Sequence, residues 1–246
     1  RDQGITSILI SHKLNEISAV ADRITVLRDG RSVGTLDCHE GVVQEDEIIR
    51  RMVDRDMESR YPKRDPKIGD VIFDVENWSA YHPQHSERQV VKNVSMQVRA
   101  GEIVGISGLM GAGRTEFAMS IFGRSWGRNI SGKVRLHGKY VDVSDVHRAI
   151  KAGLAYVTED RKHLGLILGE DIRKNISLAH LGGVSSRGVI DDIDEMKVAQ
   201  DFRTRMRIRS HNVYQETGKL SGGNQQKVVL SKWLFTGPDV LILDEP

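Results

Sequence analysis

Residues 108–115 read Gly-Leu-Met-Gly-Ala-Gly-Arg-Thr, which follows the phosphate-loop pattern Gly-x4-Gly-Lys-[Ser/Thr] except that Arg114 stands in the Lys position. Glycines suit a backbone that must curl around phosphates and turn its amides inward, and a helix N-terminus adds partial positive charge. Thr115 offers a hydroxyl to a magnesium ion carried by a nucleotide. Near the end of the sequence, the apolar run Val240-Leu-Ile-Leu leads into Asp244 and Glu245. A strand ending this way places one carboxylate near such a magnesium and the other beside a terminal phosphate, as a base or a water-orienting group. A third stretch, Leu220-Ser-Gly-Gly-Asn-Gln-Gln-Lys227, sets Ser221 at a helix N-cap ahead of two glycines that leave the first helical amides open to an anion. Each stretch alone has an ordinary structural reading: a glycine-rich turn, a strand end, a capped helix. Their order along one chain points to nucleotide chemistry.

These residues need elements to hold them. An apolar run over 102–107 reads as a strand running straight into the glycine loop, and a helix over 114–122 is closed by Gly123. The pattern predicts strands over 71–75, 90–98 and 154–157, a hairpin around Gly138 and a mostly helical stretch over 171–215. A helix over 222–235, stopped by Gly237-Pro238, precedes a strand over 240–243. Earlier, residues 5–10 read as a buried strand delivering Ser11-His12-Lys13, with a helix over 13–21. Asp29-Gly30 is a hairpin signal between 23–27 and 31–36. Residues 45–60 are amphipathic at helical spacing, with Ile48, Ile49, Met52 and Val53 on one face. Two prolines and several charges over 61–69 then read as a linker, with a boundary near residue 65.

Composition bounds what the chain can do. Its 246 residues carry 36 Lys+Arg against 34 Asp+Glu, a net charge of +2, so no long-range field draws it to nucleic acid. The single Cys38 cannot form an internal disulfide, which fits a reducing compartment. No stretch reaches the roughly 18–20 apolar residues that cross a bilayer, and the start does not read as a signal peptide. The sequence lacks an initiator Met and stops just past an apolar strand, from which we expect a fragment of a longer protein.

Taken together, these motifs resemble those of the ATP-binding cassette (ABC) ATPases, and more narrowly of the tandem-cassette ATPase subunits of bacterial monosaccharide importers of the ribose, galactose, xylose and multiple-sugar type. The narrower likeness rests on Gly108–Glu116 (GLMGAGRTE), Val157-Thr-Glu-Asp-Arg-Lys162, Leu220–Lys227 and Leu241-Ile-Leu-Asp-Glu-Pro246. It implies an α/β P-loop NTPase fold with a RecA-like core, an antiparallel β subdomain and a helical subdomain, here truncated. Residues 1–60 would be the C-terminal part of a first cassette, 61–69 a linker, and 70–246 the N-terminal part of a second.

The resemblance also implies roles. Gly108, Leu109, Met110, Gly111, Ala112, Gly113, Arg114, Thr115 and Glu116 would hold ATP, with Thr115 and Asp244 toward Mg2+ and Glu245 catalytic. His12 would contact the γ-phosphate at the other site, which Ser221, Gly222 and Gly223 would complete. Glu159 falls where most cassettes carry a Gln that touches magnesium and water, and residues 160–170 would help form a groove for a membrane partner. Trp78 and Tyr81 are candidates to stack on adenine, or to pack in the core. Partners would be transmembrane permease subunits and, indirectly, a periplasmic sugar-binding protein, with no nucleic acid. The location would be peripheral, at the cytoplasmic face of the bacterial inner membrane. Arg114 and Glu159 depart from the usual pattern, from which we expect this site mainly to bind nucleotide. The sequence is also compatible with two other readings, a soluble cassette acting on ribosomes or DNA, and a binding module without turnover.

Overall fold

The computed structural model describes residues 4–11, 14–28, 30–38, 43, 45–53 and 65–245, in two compact units, Arg1–Asp65 and Pro66–Pro246. In the first unit, helix α1 (Leu14–Val20) precedes the antiparallel strands β1 (Arg23–Arg28) and β2 (Arg31–Asp37), and helix α2 (Glu45–Val53) follows. Alternation puts Ile24 and Val26 on one face of β1, where they bury with Leu36 and with Ile48 of α2. The hairpin turns through Gly30 at φ 77°. Asp29, residues 54–60 of the expected second helix and linker residues 61–64 lie outside the described residues.

In chain order the second unit comprises strands β3 (Val71–Tyr81) and β4 (Gln89–Arg99), helix α3 (Arg114–Ile121), strands β5 (Arg128–Leu136) and β6 (Lys139–Tyr140), helix α4 (Val146–Lys151) and strand β7 (Leu154–Val157). A wide helical turn at Arg161–Gly165 leads to α5 (Ile172–Ser177), a 3-10 segment at Leu178–Val184, the short hairpin β8 (Ser185–Ser186) and β9 (Val189–Ile190), and α6 (Asp192–Arg205). Helix α7 (Gly222–Phe235) and strand β10 (Val240–Leu243) close it. The long strands form an antiparallel sheet in the order β4-β3-β5-β6, while β7 and β10 pair in parallel, Leu154 opposite Val240 and Val157 opposite Leu243. One core joins these parts, with Trp78, Ile121, Leu154, Val157, Ile172 and Val228 all fully buried.

Trp78 shows how local geometry sets this core. Phe73 and Val75 point inward on strict alternation, which would leave Trp78 outside. The register of β3 against β4 slips between Val75 and Trp78, and Asn77 takes a left-handed φ of 51°. This bulge re-phases the strand and turns the indole inward, to 1% exposure, where its Nε1 donates to Ser120 Oγ on α3 at 2.9 Å. Trp78 is therefore core, and the expectation that it could stack on adenine is corrected.

Two further expectations fail. Residues 5–10 are not a buried strand: the described backbone there has no strand pairing, and Ile8 and Ile10 are more than nine-tenths exposed. Residues 102–107 likewise join no sheet among the described residues, and Ile103 and Ile106 face solvent. An apolar β-branched run shows that a strand is favoured, but only a hydrogen-bonding neighbour makes it one. Among the described residues no helix is long and apolar enough to cross a membrane.

Candidate functional site

The glycine loop sits on the start of α3. Gly113 is the residue before the helix and takes φ 89°, a conformation costly for residues with a Cβ. It is also packed in: a Cβ there would lie 3.3 Å from the Val90 carbonyl oxygen of β4. The Gly113 carbonyl accepts the first helical bond from Phe117 N at 2.8 Å, and no side chain caps the helix start. The loop itself turns through Ala112 N donating to Leu109 O at 3.0 Å, with Gly111 at φ 78° and Gly108 against the Ala112 methyl. Leu109 and Met110 are almost wholly exposed at its crest. Arg114, Thr115 and Glu116 occupy the first turn of α3, each half-buried. The result is an open backbone arch over an uncapped helix N-terminus, suited to an anion.

The parallel pairing of β10 with β7 continues past the strands, because Asp244 N donates to Val157 O at 3.0 Å. Asp244 is buried, and its Oδ2 accepts a hydrogen bond from Tyr156 Oη at 2.8 Å. Burial first, then the Asp244 carboxylate, pushes the Tyr156 hydroxyl well above the ordinary tyrosine range, so it stays a donor. Glu245 is exposed, with a left-handed φ of 43°, and its Oε1 lies 3.4 Å from Arg114 Nη2. The loop and the acidic pair are thus brought together through Arg114. Tyr156 is a site residue that the motif reading missed; the one signal was a phenol inside the otherwise aliphatic strand 154–157.

Beyond β7, Thr158 is buried and Glu159 exposed. Asp160 caps the wide turn that follows, accepting from Lys162 N and His163 N at 3.2 and 3.1 Å. These backbone bonds and the His163 ring hold its carboxyl below the usual range. Ser221 stands at the N-cap of α7, but its Oγ caps no backbone amide and instead accepts from Asn224 Nδ2 at 2.9 Å. The preceding loop is tied down by Gln225, whose Nε2 donates to Leu220 O at 3.2 Å. Gly222 faces Arg161: a Cβ there would lie 2.8 Å from Nη2. Ser221, Gly222 and Gly223 are all exposed, and among the described residues no hydrogen bond or ion pair joins them to 108–116. Tyr81 is half-buried at the end of β3. His12 lies outside the described residues.

A sequence model of the ABC transporter family matches residues 91–246. Over all 246 residues the chain is 59% identical to the L-arabinose transport ATP-binding protein AraG of Geobacillus stearothermophilus. It is 44% identical to the xylose import ATP-binding protein XylG of Thermoanaerobacter pseudethanolicus and 42% to the ribose import ATP-binding protein RbsA of Bacillus subtilis. The chain spans 48% of each of these proteins, about half their length. Among solved structures it is similar to a nucleotide-free ATP-binding cassette from an ABC transporter, with TM-score 0.58 and 21% identity over 72% of this chain and 69% of that one. A second, a dimeric ATP-binding cassette bound to ADP and Pi, gives TM-score 0.58 and 20% identity over 71% and 74%. These likenesses carry the fold: an α/β ATP-binding cassette.

Proposed function

We propose a function that proceeds from one fact: this chain belongs to the ABC transporter family. The protein of which it forms at least a part binds and hydrolyses ATP to energise import of a monosaccharide through permease subunits, working peripherally at the cytoplasmic face of a bacterial inner membrane. The observation that carries this reading is the arch of residues 108–113 on the uncapped start of α3, where Arg114, the first residue of the helix, sets its Nη2 3.4 Å from Glu245 Oε1. In this reading 1–60 and 70–246 belong to successive cassettes, joined by 61–69.

The backbone amides of 108–115 hold the phosphates and Arg114 neutralises their charge. Thr115 Oγ1 and the Asp244 carboxylate are hard oxygen donors, a set that suits Mg2+ arriving with phosphate oxygens of its own. When bound, the ion neutralises charge developing on the phosphates. Tyr156 supports this fit, since its hydroxyl holds one Asp244 oxygen and fixes the carboxylate's orientation. Glu245 orients the attacking water, with Arg114 as its ion partner before nucleotide enters. Ser221, Gly222 and Gly223 serve a nucleotide held by another cassette, and a Ser221 hydroxyl that caps no backbone amide, beside exposed glycines, suits that role.

For the permease, the region after Glu159 offers exposed Leu164 and Ile167, the latter lining a groove of about 280 Å³ with Leu178, Leu181 and Ile190 and the charged Glu170, Arg173 and Lys174. An amphipathic helix matches such a surface. The 59% identity to an L-arabinose transport protein makes L-arabinose the first sugar to try. The test is uptake of labelled arabinose, xylose and ribose in cells lacking the gene, with and without the full-length protein. Restored uptake of one pentose supports the reading, and restored uptake of none, with the protein expressed beside its permease, contradicts it.

A further inference from the structure

We propose that Lys232 is a positioning residue that fastens the turn following Glu159, Arg161–Gly165, to helix α7, so that this turn and the Ser221-Gly222-Gly223 start of α7 move as one piece. The functional meaning rests on the reading above, in which the turn faces the permease and 221–223 meet a nucleotide.

The turn at Arg161–Gly165 meets α7 at three levels. Lys232 is 5% exposed and its Nζ donates to the Gly165 carbonyl at 2.5 Å. Gly165 itself lies against the helix: an added Cβ would stand 3.2 Å from Val229 Cγ2 and 3.4 Å from Thr158 Cγ2. At the helix start, Arg161 Nη2 approaches Gly222 so closely that a Cβ there would lie 2.8 Å away. From Gly222 to Lys232 is about 15 Å along the helix axis at ~1.5 Å per residue. A contact line of that length transmits displacement of the turn to the helix as a whole, because packed interiors shift between discrete arrangements rather than deform smoothly.

The choice of side chain is informative. Lys232 follows Val228 and Val229 on the buried face of α7, where a leucine or methionine would satisfy packing alone. Burial pushes the ammonium from the ordinary 10.5 down to about 8, so at neutral pH the fold holds a charge at a cost to its stability. A buried ammonium bonded to a backbone carbonyl of the turn that follows Glu159 ties that turn to the helix, where an aliphatic side chain would only pack.

Hydrogen exchange of the full-length protein without nucleotide tests this. In Lys232→Met, amides of 161–165 and 224–226 lose protection together, by about fivefold or more, while those of 196–204 in α6 stay within about twofold. Unchanged protection in either segment overturns the proposal, and so does an equal loss in α6, which would mark a general loosening. Should that variant fail to fold, Gly165→Ala, which wedges the turn from Val229, gives the same comparison; failure of both to fold also overturns it. A second arm measures a fluorescent ATP analogue and turnover in the permease complex. Lys232→Met keeps analogue affinity and KM within about twofold and loses about tenfold in kcat. A kcat within twofold of wild type contradicts the proposal. Absence of analogue binding by the wild type counts against the functional reading alone, since the exchange arm needs no nucleotide.

Discussion

Replacing Lys232 with Met separates what this residue costs from what it holds. Lys232 is 5% exposed, and burial alone lowers its proton affinity from the ordinary 10.5 to about 8. At about 1.4 kcal/mol per tenfold change in proton affinity, the charged form costs the folded state about 3 kcal/mol at neutral pH. The lost bond leaves the Gly165 carbonyl unpaired, worth about 1–3 kcal/mol in the opposite sense. The net change at pH 7 therefore lies between about zero and a stabilisation of about 2 kcal/mol. The pH dependence is sharper, because the unpaired carbonyl does not titrate. Below pH 8 both folded and unfolded lysine are protonated and the cost is complete. Between 8 and 10.5 the unfolded chain binds more protons, so wild-type stability gains as pH rises through this window. Lys232→Met lacks that gain. Urea unfolding at pH 7 and pH 9.5 should show its advantage over wild type shrinking by about 2 kcal/mol. A difference that stays constant across that range would refute the reasoning.

Tyr156→Phe removes the donor to Asp244 and should destabilise the unit by about 1–3 kcal/mol in urea unfolding, while weakening the Mg2+ dependence of nucleotide binding. A change under about 0.5 kcal/mol would mean that the buried carboxylate is satisfied otherwise. Gly113→Ala forces a Cβ into φ 89° and toward Val90 O, so it should cost about 1–2 kcal/mol and weaken ATP binding in a nucleotide titration. On the expectation from Arg114 and Glu159 that this site mainly binds nucleotide, Glu245→Gln in the full-length transporter should lower steady-state ATPase by less than about threefold; complete loss would show it to be the principal hydrolytic site.

Where a pattern is closed within a few residues, the sequence was a good guide. Helix α7 runs over the stretch between Ser221 and the Gly237-Pro238 stop, and β7 and β10 occupy the two apolar runs that their length and bounding residues indicated. The hairpin at Gly138 was equally local, with His137 and Gly138 both at positive φ. What escaped depends on distant partners. Residues 5–10 and 102–107 carry the composition of buried strands, yet composition does not supply a neighbour to pair with. Trp78 could not be assigned inward or outward without the bulge at Asn77, one residue that shifts the alternation. In the candidate site, the glycines and carboxylates were legible because phosphate chemistry restricts their types and spacing. Tyr156 and Lys232 were not, because each acts through one contact remote in sequence, to Asp244 and to Gly165.

The central claim is that the arch over α3 holds a nucleotide phosphate with Mg2+. Calorimetric titration of this chain with MgATP measures it most directly. The account predicts saturable binding that weakens about tenfold or more in Thr115→Ala and when EDTA removes the metal. Binding that is absent, or that is indifferent to both changes, would contradict it.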